Sequence, residues 1–182
     1  MSNHEIKKQM QLAIVGICVV AITGGLGRFA YTPIIPYMQN SLSLTSTDIG
    51  LIASSNYLGY LVGSIIPLFF AFEKRQKLTL YSSVLISILS LGLMGFTEHM
   101  DYFITLRFFQ GVSGAVALVI ATNLIFSEIT ESKKFDLRLA HISGFGIGIF
   151  LSAIFIWFCS LYLLDWYHQW LVIAFVCVLL AV

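Results

Sequence analysis

The sequence carries little charge. Asp, Glu, Lys and Arg make up 10% of its 182 residues, whereas a soluble domain runs near one quarter, so a globular cytosolic enzyme is the wrong class. Ten basic against nine acidic residues leave a formal net charge of +1, and nothing in that balance suggests nucleic acid as a partner. Cysteine is scarce as well. Cys18, Cys159 and Cys177 stand singly without CxxC spacing, which excludes a disulfide framework and leaves them as packing residues. His4, His99, His141 and His168 include no pair at metal-ligand spacing, so neither a metal nor a cofactor is expected. Only three prolines occur, Pro33, Pro36 and Pro67, each expected to kink or end a helix near a membrane interface.

What is present is apolar. Hydrophobic residues make up 58% of the chain and the mean hydropathy is +0.90. Runs of membrane-spanning length extend over residues 11–36, 49–72, 78–97, 102–126 and 139–164, and a sixth begins at Gln169. Six spans of about 20 residues would use about 120 positions and leave about 60 for loops and tail. The expected fold is an all-α bundle of six transmembrane helices in a lipid bilayer, with short loops making successive helices antiparallel neighbours. The sixth run, Gln169 to Val182, covers 14 residues, about 21 Å of helix against a hydrocarbon core of about 30 Å. That shortfall leads us to expect a fragment of something longer.

Charge placement sets the orientation. Lys7 and Lys8 lie in the N-terminal tail, Lys74, Arg75 and Lys77 in the loop after the second span, and Lys133, Lys134 and Arg138 in the loop after the fourth. The opposite loops hold Asp48, Glu98, Asp101 and Asp165 and no basic residue. The positive-inside rule then places the N-terminus in the cytoplasm. Lys7 and Lys8 ahead of an apolar run superficially resemble a secretory signal, but the run continues to Pro36 without a small-x-small cleavage site, so a retained first helix is expected. Trp166, Tyr167 and Trp170 cluster at the outer start of the sixth span and read as interfacial anchors.

An intramembrane protease has to be weighed. Gly111-Val112-Ser113-Gly114 is a G-x-S-G string, and His141-Ile142-Ser143-Gly144 continues to Gly148; together they look like the dyad motifs of rhomboid proteases. Depth opposes it. Ser113 should lie about 18 Å below the outer surface while His141 is near the cytoplasmic end of its span, beyond the reach a base needs.

Glycines and buried polar groups are more informative. Gly59 and Gly63 in the second span, and Gly144 and Gly148 in the fifth, place small residues on one helix face and let backbones approach. Gly24 and Gly27 do the same in the first. Arg107, Gln110, Gly111 and Gly114 follow an i, i+3, i+4, i+7 pattern and share one face of the fourth helix. Arg28 and Tyr31 share a face of the first, and Asn56 lies with Gly59 and Gly63 on the second. By helical rise, Arg28, Asn56 and Arg107 each fall roughly 9 to 12 Å below the outer interface, so they can converge at one level.

A buried guanidinium cannot shed its proton and needs a partner. Every acidic residue falls in a loop, the tail or a helix end. Three partners remain for Arg28 and Arg107: backbone groups of neighbouring helices, an acid on a missing part of the protein, or an anionic solute. Tyr31, Asn56 and Gln110 would add hydrogen bonds to such a solute, or would be ordinary interhelical contacts.

These residues carry a resemblance. The run Leu106-Arg107-Phe108-Phe109-Gln110-Gly111-Val112-Ser113-Gly114-Ala115 closely resembles the R-x-x-Q-G-x-x-x-A signature of the fourth helix in the major facilitator superfamily. Gly27-Arg28-Phe29-Ala30-Tyr31-Thr32-Pro33, followed by Pro36 and Gln39, is similar to the first helix of its YbfB/YjiJ-like branch. The fifth-span glycines are similar to the family's fifth-helix motif without its usual proline. The loop after the second span keeps only Lys74, Arg75 and Lys77 of a G-x-x-x-D-R-x-G-R-K type motif, which puts the cytoplasmic latch associated with that motif in doubt.

The resemblance implies the N-terminal half of a fold made of two six-helix halves around a cavity, this half spanning residues 1–182 as two inverted three-helix repeats. It implies a secondary transporter in a bacterial inner membrane, working by alternating access on a small organic solute with ion or proton coupling; two arginines without an intramembrane acid point to an anionic or polar solute. Arg28, Tyr31, Asn56, Arg107 and Gln110 would line its cavity, and the missing C-terminal half or a second copy would complete it. The reading from a different class is a non-transporting helical scaffold or assembly subunit, with the arginines satisfied structurally.

Overall fold

The computed structural model describes residues 3–69, 75–128 and 139–182. Lys74, Lys133, Lys134 and Arg138, on which the orientation argument leans, lie outside the described residues. Among those described, regular structure is helical throughout. This is what a bilayer demands, because backbone N–H and C=O groups in hydrocarbon must be bonded within the chain.

The first span is a single helical path, Lys7–Leu42, built from α1 (Asn3–Val20), a π-helical segment (Ala21–Leu26), α2 (Gly27–Phe29) and α3 (Tyr31–Leu42). It runs beyond the expected boundary at Pro36. Pro33 falls in the first turn of α3, where a missing N–H costs little, and Pro36 is accommodated inside that helix. The helix stops where Ser43 turns left-handed, at φ 53°. Thr45 then caps α4 (Ser46–Phe69): its amide and hydroxyl donate to Asp48 Oδ2 at 2.9 and 2.7 Å, and the Asp48 amide donates back to Thr45 Oγ1 at 3.2 Å. That reciprocal pairing is a capping box.

The remaining helices are α5 (Gln76–Met94), α6 (Met100–Glu128), α7 (Ser143–Leu161) and α8 (Trp166–Ala181). Among the described residues five apolar helical stretches are long enough to cross a membrane, and Trp166–Ala181 is a shorter sixth. Extensive contacts between spans set the bundle. The π segment of the first span packs on α7, the fifth span, while α6, the fourth, packs on α4, the second.

Glycine makes both contacts close. A Cβ added at Gly148 would come 2.6 Å from the Gly25 Cα and 2.6 Å from the Ala21 carbonyl oxygen. One added at Gly63 would meet the Val112 Cα at 2.8 Å, and one at Gly111 would meet the Tyr60 nitrogen at 2.8 Å. At the N-terminal end of α1 and the C-terminal end of α6 an exposed ion pair joins Lys8 Nζ to Glu128 Oε2 at 2.9 Å.

Two aromatic residues depart from expectation. Trp166 and Trp170 point inward and not into the interface: Trp170 is fully buried and Trp166 nearly so. Trp170 stacks on Tyr31 with centroids 6.4 Å apart, and Trp166 meets Phe103 edge-on at 5.9 Å. The α8 helix begins against the core cluster that holds Tyr31, Phe103 and Ile34, so the large rings fill space between spans. Tyr167, between them, remains exposed.

Candidate functional site: two arginines at the first-span π segment

The π segment is where the polar residues meet. In an α-helix the Gly27 amide would bond the Thr23 carbonyl; here it is directed to Ile22 and Gly24 instead. The Thr23 carbonyl is thereby open to a donor from outside the helix, and Gln110 Nε2 donates to it at 3.1 Å. A Cβ on Gly27 would overlap the Gln110 amide nitrogen, so this position needs glycine for the contact to form.

Arg107 extends the same clamp. Its guanidinium donates through Nη1 to the Gly27 carbonyl at 2.9 Å and through Nη2 to the Arg28 carbonyl at 3.1 Å. The Tyr31 ring lies beneath it, 5.1 Å from Cζ, and the Tyr31 hydroxyl donates to the Ile49 carbonyl at 3.2 Å. From α4, Asn56 Nδ2 donates to the Arg107 carbonyl at 2.9 Å and to Gln110 Oε1. The five residues singled out in the sequence therefore form one linked set across three spans. Arg107, Gln110, Asn56 and Tyr31 are all buried.

Arg107 does not open onto a shared cavity in this conformation. It is 3% exposed, and its terminal nitrogens are used on backbone carbonyls. Backbone groups of a neighbouring helix, one of the three partners considered for it, are the partner it has.

Arg28 is placed differently. Its carbonyl accepts from Arg107, but its own guanidinium donates no hydrogen bond to any described residue, and its Nε is buried without a partner. Three rings surround Cζ: Tyr57 at 4.7 Å, Tyr60 at 4.9 Å and Phe29 at 5.7 Å. Such contacts stabilise a cation in a poorly hydrated place while leaving its N–H groups unbonded. Sequence reasoning missed Phe29, Tyr57 and Tyr60, and also the Thr23 carbonyl. The i, i+3 spacing of Tyr57 and Tyr60, beside Asn56, was the available signal for the cage; a backbone carbonyl freed by a π segment leaves no side-chain signature.

The protease reading fails on geometry. Ser113 Oγ donates to its own helix at the Gln110 carbonyl, 3.0 Å away, whereas His141 Nε2 lies 3.1 Å from Thr122 Oγ1. Thr122 is nine residues beyond Ser113 on α6, about 14 Å along the axis. Among the described residues no cluster of His, Cys, Asp or Glu could hold a metal ion. A cleft of about 440 Å³ between α1, α5 and the end of α8 is lined by apolar side chains such as Ile14, Val15, Leu80 and Leu85, and offers no chemistry.

Residues 19–182 match the family described as "Uncharacterised MFS-type transporter YbfB". No curated protein matches the chain. The match takes in the π segment, the Arg107 clamp and the Arg28 cage, and the chain is an integral membrane protein belonging to this branch of the major facilitator superfamily of transporters.

Proposed function

We propose that the protein is a secondary transporter for a small anionic organic solute, working by alternating access in a bacterial inner membrane with its N-terminus in the cytoplasm. Residues 1–182 supply the N-terminal six-helix half, and a C-terminal half or a second copy supplies the opposing wall. The solute gradient, or an ion or proton gradient, drives the cycle. No enzymatic step is invoked.

One observation carries this reading. Arg28 is a half-buried cation inside a span, unbonded at every guanidinium nitrogen among the described residues, in a sequence whose acids all fall in the tail, loops or helix ends. An ionisable group at that depth is costly unless it serves a pathway. The scaffold reading requires both arginines to be satisfied structurally; Arg107 has both terminal nitrogens bonded to carbonyls, although its Nε is buried without a partner, whereas Arg28 has no guanidinium nitrogen bonded among the described residues. Tyr31, Asn56, Arg107 and Gln110 support the reading by fixing the backbone around Arg28.

The test is uptake by proteoliposomes carrying the full-length protein, over a panel of radiolabelled organic anions, with a transmembrane pH gradient imposed and then collapsed. Accumulation of an anion that falls when the gradient is collapsed supports coupled transport. Absence of flux for every anion, in vesicles that contain folded protein, would leave the scaffold reading in its place.

A further inference from the structure

The α4 helix presents three faces. One is buried and carries Ile52, Asn56, Gly59 and Gly63. A second is exposed and apolar, with Leu51, Leu58, Val62 and Ile65, as a lipid-facing stripe should be. The third lies roughly 100° around from the second at 100° per residue and mixes Ser54, Tyr57, Tyr60 and Ser64 with the exposed Leu61. Arg28 lies against this third face, through Tyr57 and Tyr60.

We propose that Arg28, between Tyr57 and Tyr60, is the receptor for a monocarboxylate with an apolar body. The proposal rests on the transporter reading and names the solute class for it. The rings within 5 Å of Cζ occupy the approach over the guanidinium and Nε is buried, so the unbonded terminal Nη groups are what a ligand can reach. That edge is a planar fork, matched to the two coplanar oxygens of a carboxylate.

Of the two arginines at this site Arg28 alone offers a free fork, since both terminal nitrogens of Arg107 are held by carbonyls. A polyanion such as sulfate would leave oxygens without donors in a low-dielectric site, which is unfavourable. Tyr57, 55% exposed, extends past the cation and offers an aromatic wall to the rest of the ligand.

The test uses the purified protein in lipid nanodiscs and reads the shift of its thermal midpoint, at constant ionic strength, with sodium benzoate, with benzamide and with sodium sulfate. Benzoate should raise the midpoint; benzamide, which has the same body without the charge, and sulfate should not. Arg28→Gln should abolish the shift, Arg28→Lys should retain a weak one because it keeps the charge and loses the fork, and Tyr57→Leu should weaken binding by roughly tenfold. If Arg28→Gln does not fold, Arg28→Lys and Tyr57→Leu decide.

No shift with benzoate, an equal shift with sulfate, or a benzoate shift that survives in Arg28→Gln or stays at full size in Arg28→Lys would overturn the proposal. Proteoliposome flux separates it from the reading beneath it. Transport of another solute class without Arg28-dependent benzoate binding removes the carboxylate site alone. Arg28-dependent binding without flux removes transport and keeps the site.

Discussion

Arg107 is hydrogen-bonded to the main chain of Arg28: its Nη2 donates to the Arg28 carbonyl at 3.1 Å while Nη1 holds the preceding carbonyl of Gly27 at 2.9 Å. Two cations of one sign are thus joined through a peptide backbone. The buried guanidinium is stabilised by carbonyl dipoles, and in exchange it fixes the stretch of helix from which the second guanidinium projects. Neither arginine needs an acid for this arrangement. The division of labour follows, with Arg107 holding position and Arg28 left available.

Truncating Arg107 should therefore be felt as stability. Arg107→Met removes two charge-assisted bonds to the Gly27 and Arg28 carbonyls. The cost expected is about 2–3 kcal/mol, or a fall of roughly 5–10 °C in the thermal midpoint for a chain of this size. Arg107→Lys should recover part of it, since one ammonium can reach one carbonyl. The measurement is thermal unfolding in a mild detergent, and a midpoint unchanged in Arg107→Met would mean that the clamp contributes nothing.

The fifth-span glycines should behave unequally although they alternate along one short stretch. Gly146 faces open space, whereas a Cβ on Gly148 would lie 2.6 Å from the Gly25 Cα. Gly146→Ala should be neutral or stabilising by up to about 1 kcal/mol through helix propensity. Gly148→Ala should force α7 away from the π segment and cost about 1–3 kcal/mol. Comparing the thermal midpoints of the two variants checks this, and equal effects would contradict the packing.

The same contrast shows how far the sequence could be read. The spans were legible because unbroken apolar runs have no other stable solution in a bilayer. The convergence of Arg28, Asn56 and Arg107 followed from helical rise counted from the loops. Three things were not legible.

The π segment has no residue signature, so the opening of the Thr23 carbonyl to Gln110 was invisible. The inward turn of Trp166 and Trp170 depends on which side of α8 meets the core, and periodicity is weak in a helix that is apolar all round. The cage around Arg28 requires the rotation of α4 relative to the first span, which only packing fixes.

Asn56 and Gln110 should be energetically coupled. Asn56 Nδ2 donates both to Gln110 Oε1 and to the Arg107 carbonyl, and Gln110 passes the link on to Thr23. Interhelical hydrogen bonds in membranes average about 0.6 kcal/mol by double-mutant cycles, with a maximum near 1.7. A cycle of Asn56→Ala and Gln110→Ala should give a coupling of about 1 kcal/mol, because the shared amide bond belongs to a network. Additive effects within about 0.3 kcal/mol would mean that the two side chains act independently.

The tryptophans provide a check on the inward packing of α8. Trp157 on α7 is 62% exposed on the outer surface of the bundle, whereas Trp170 is fully enclosed and stacked on Tyr31. Quenching by brominated acyl chains requires contact between indole and lipid. A variant retaining only Trp157 should be strongly quenched when brominated lipid replaces ordinary lipid, and one retaining only Trp170, made by Trp157→Phe and Trp166→Phe, should change little. An interfacial anchor would be reached by shallow bromine labels. Comparable quenching of the two single-tryptophan proteins would therefore place Trp170 at the bundle surface and remove the ring that backs Tyr31 beneath the Arg107 guanidinium.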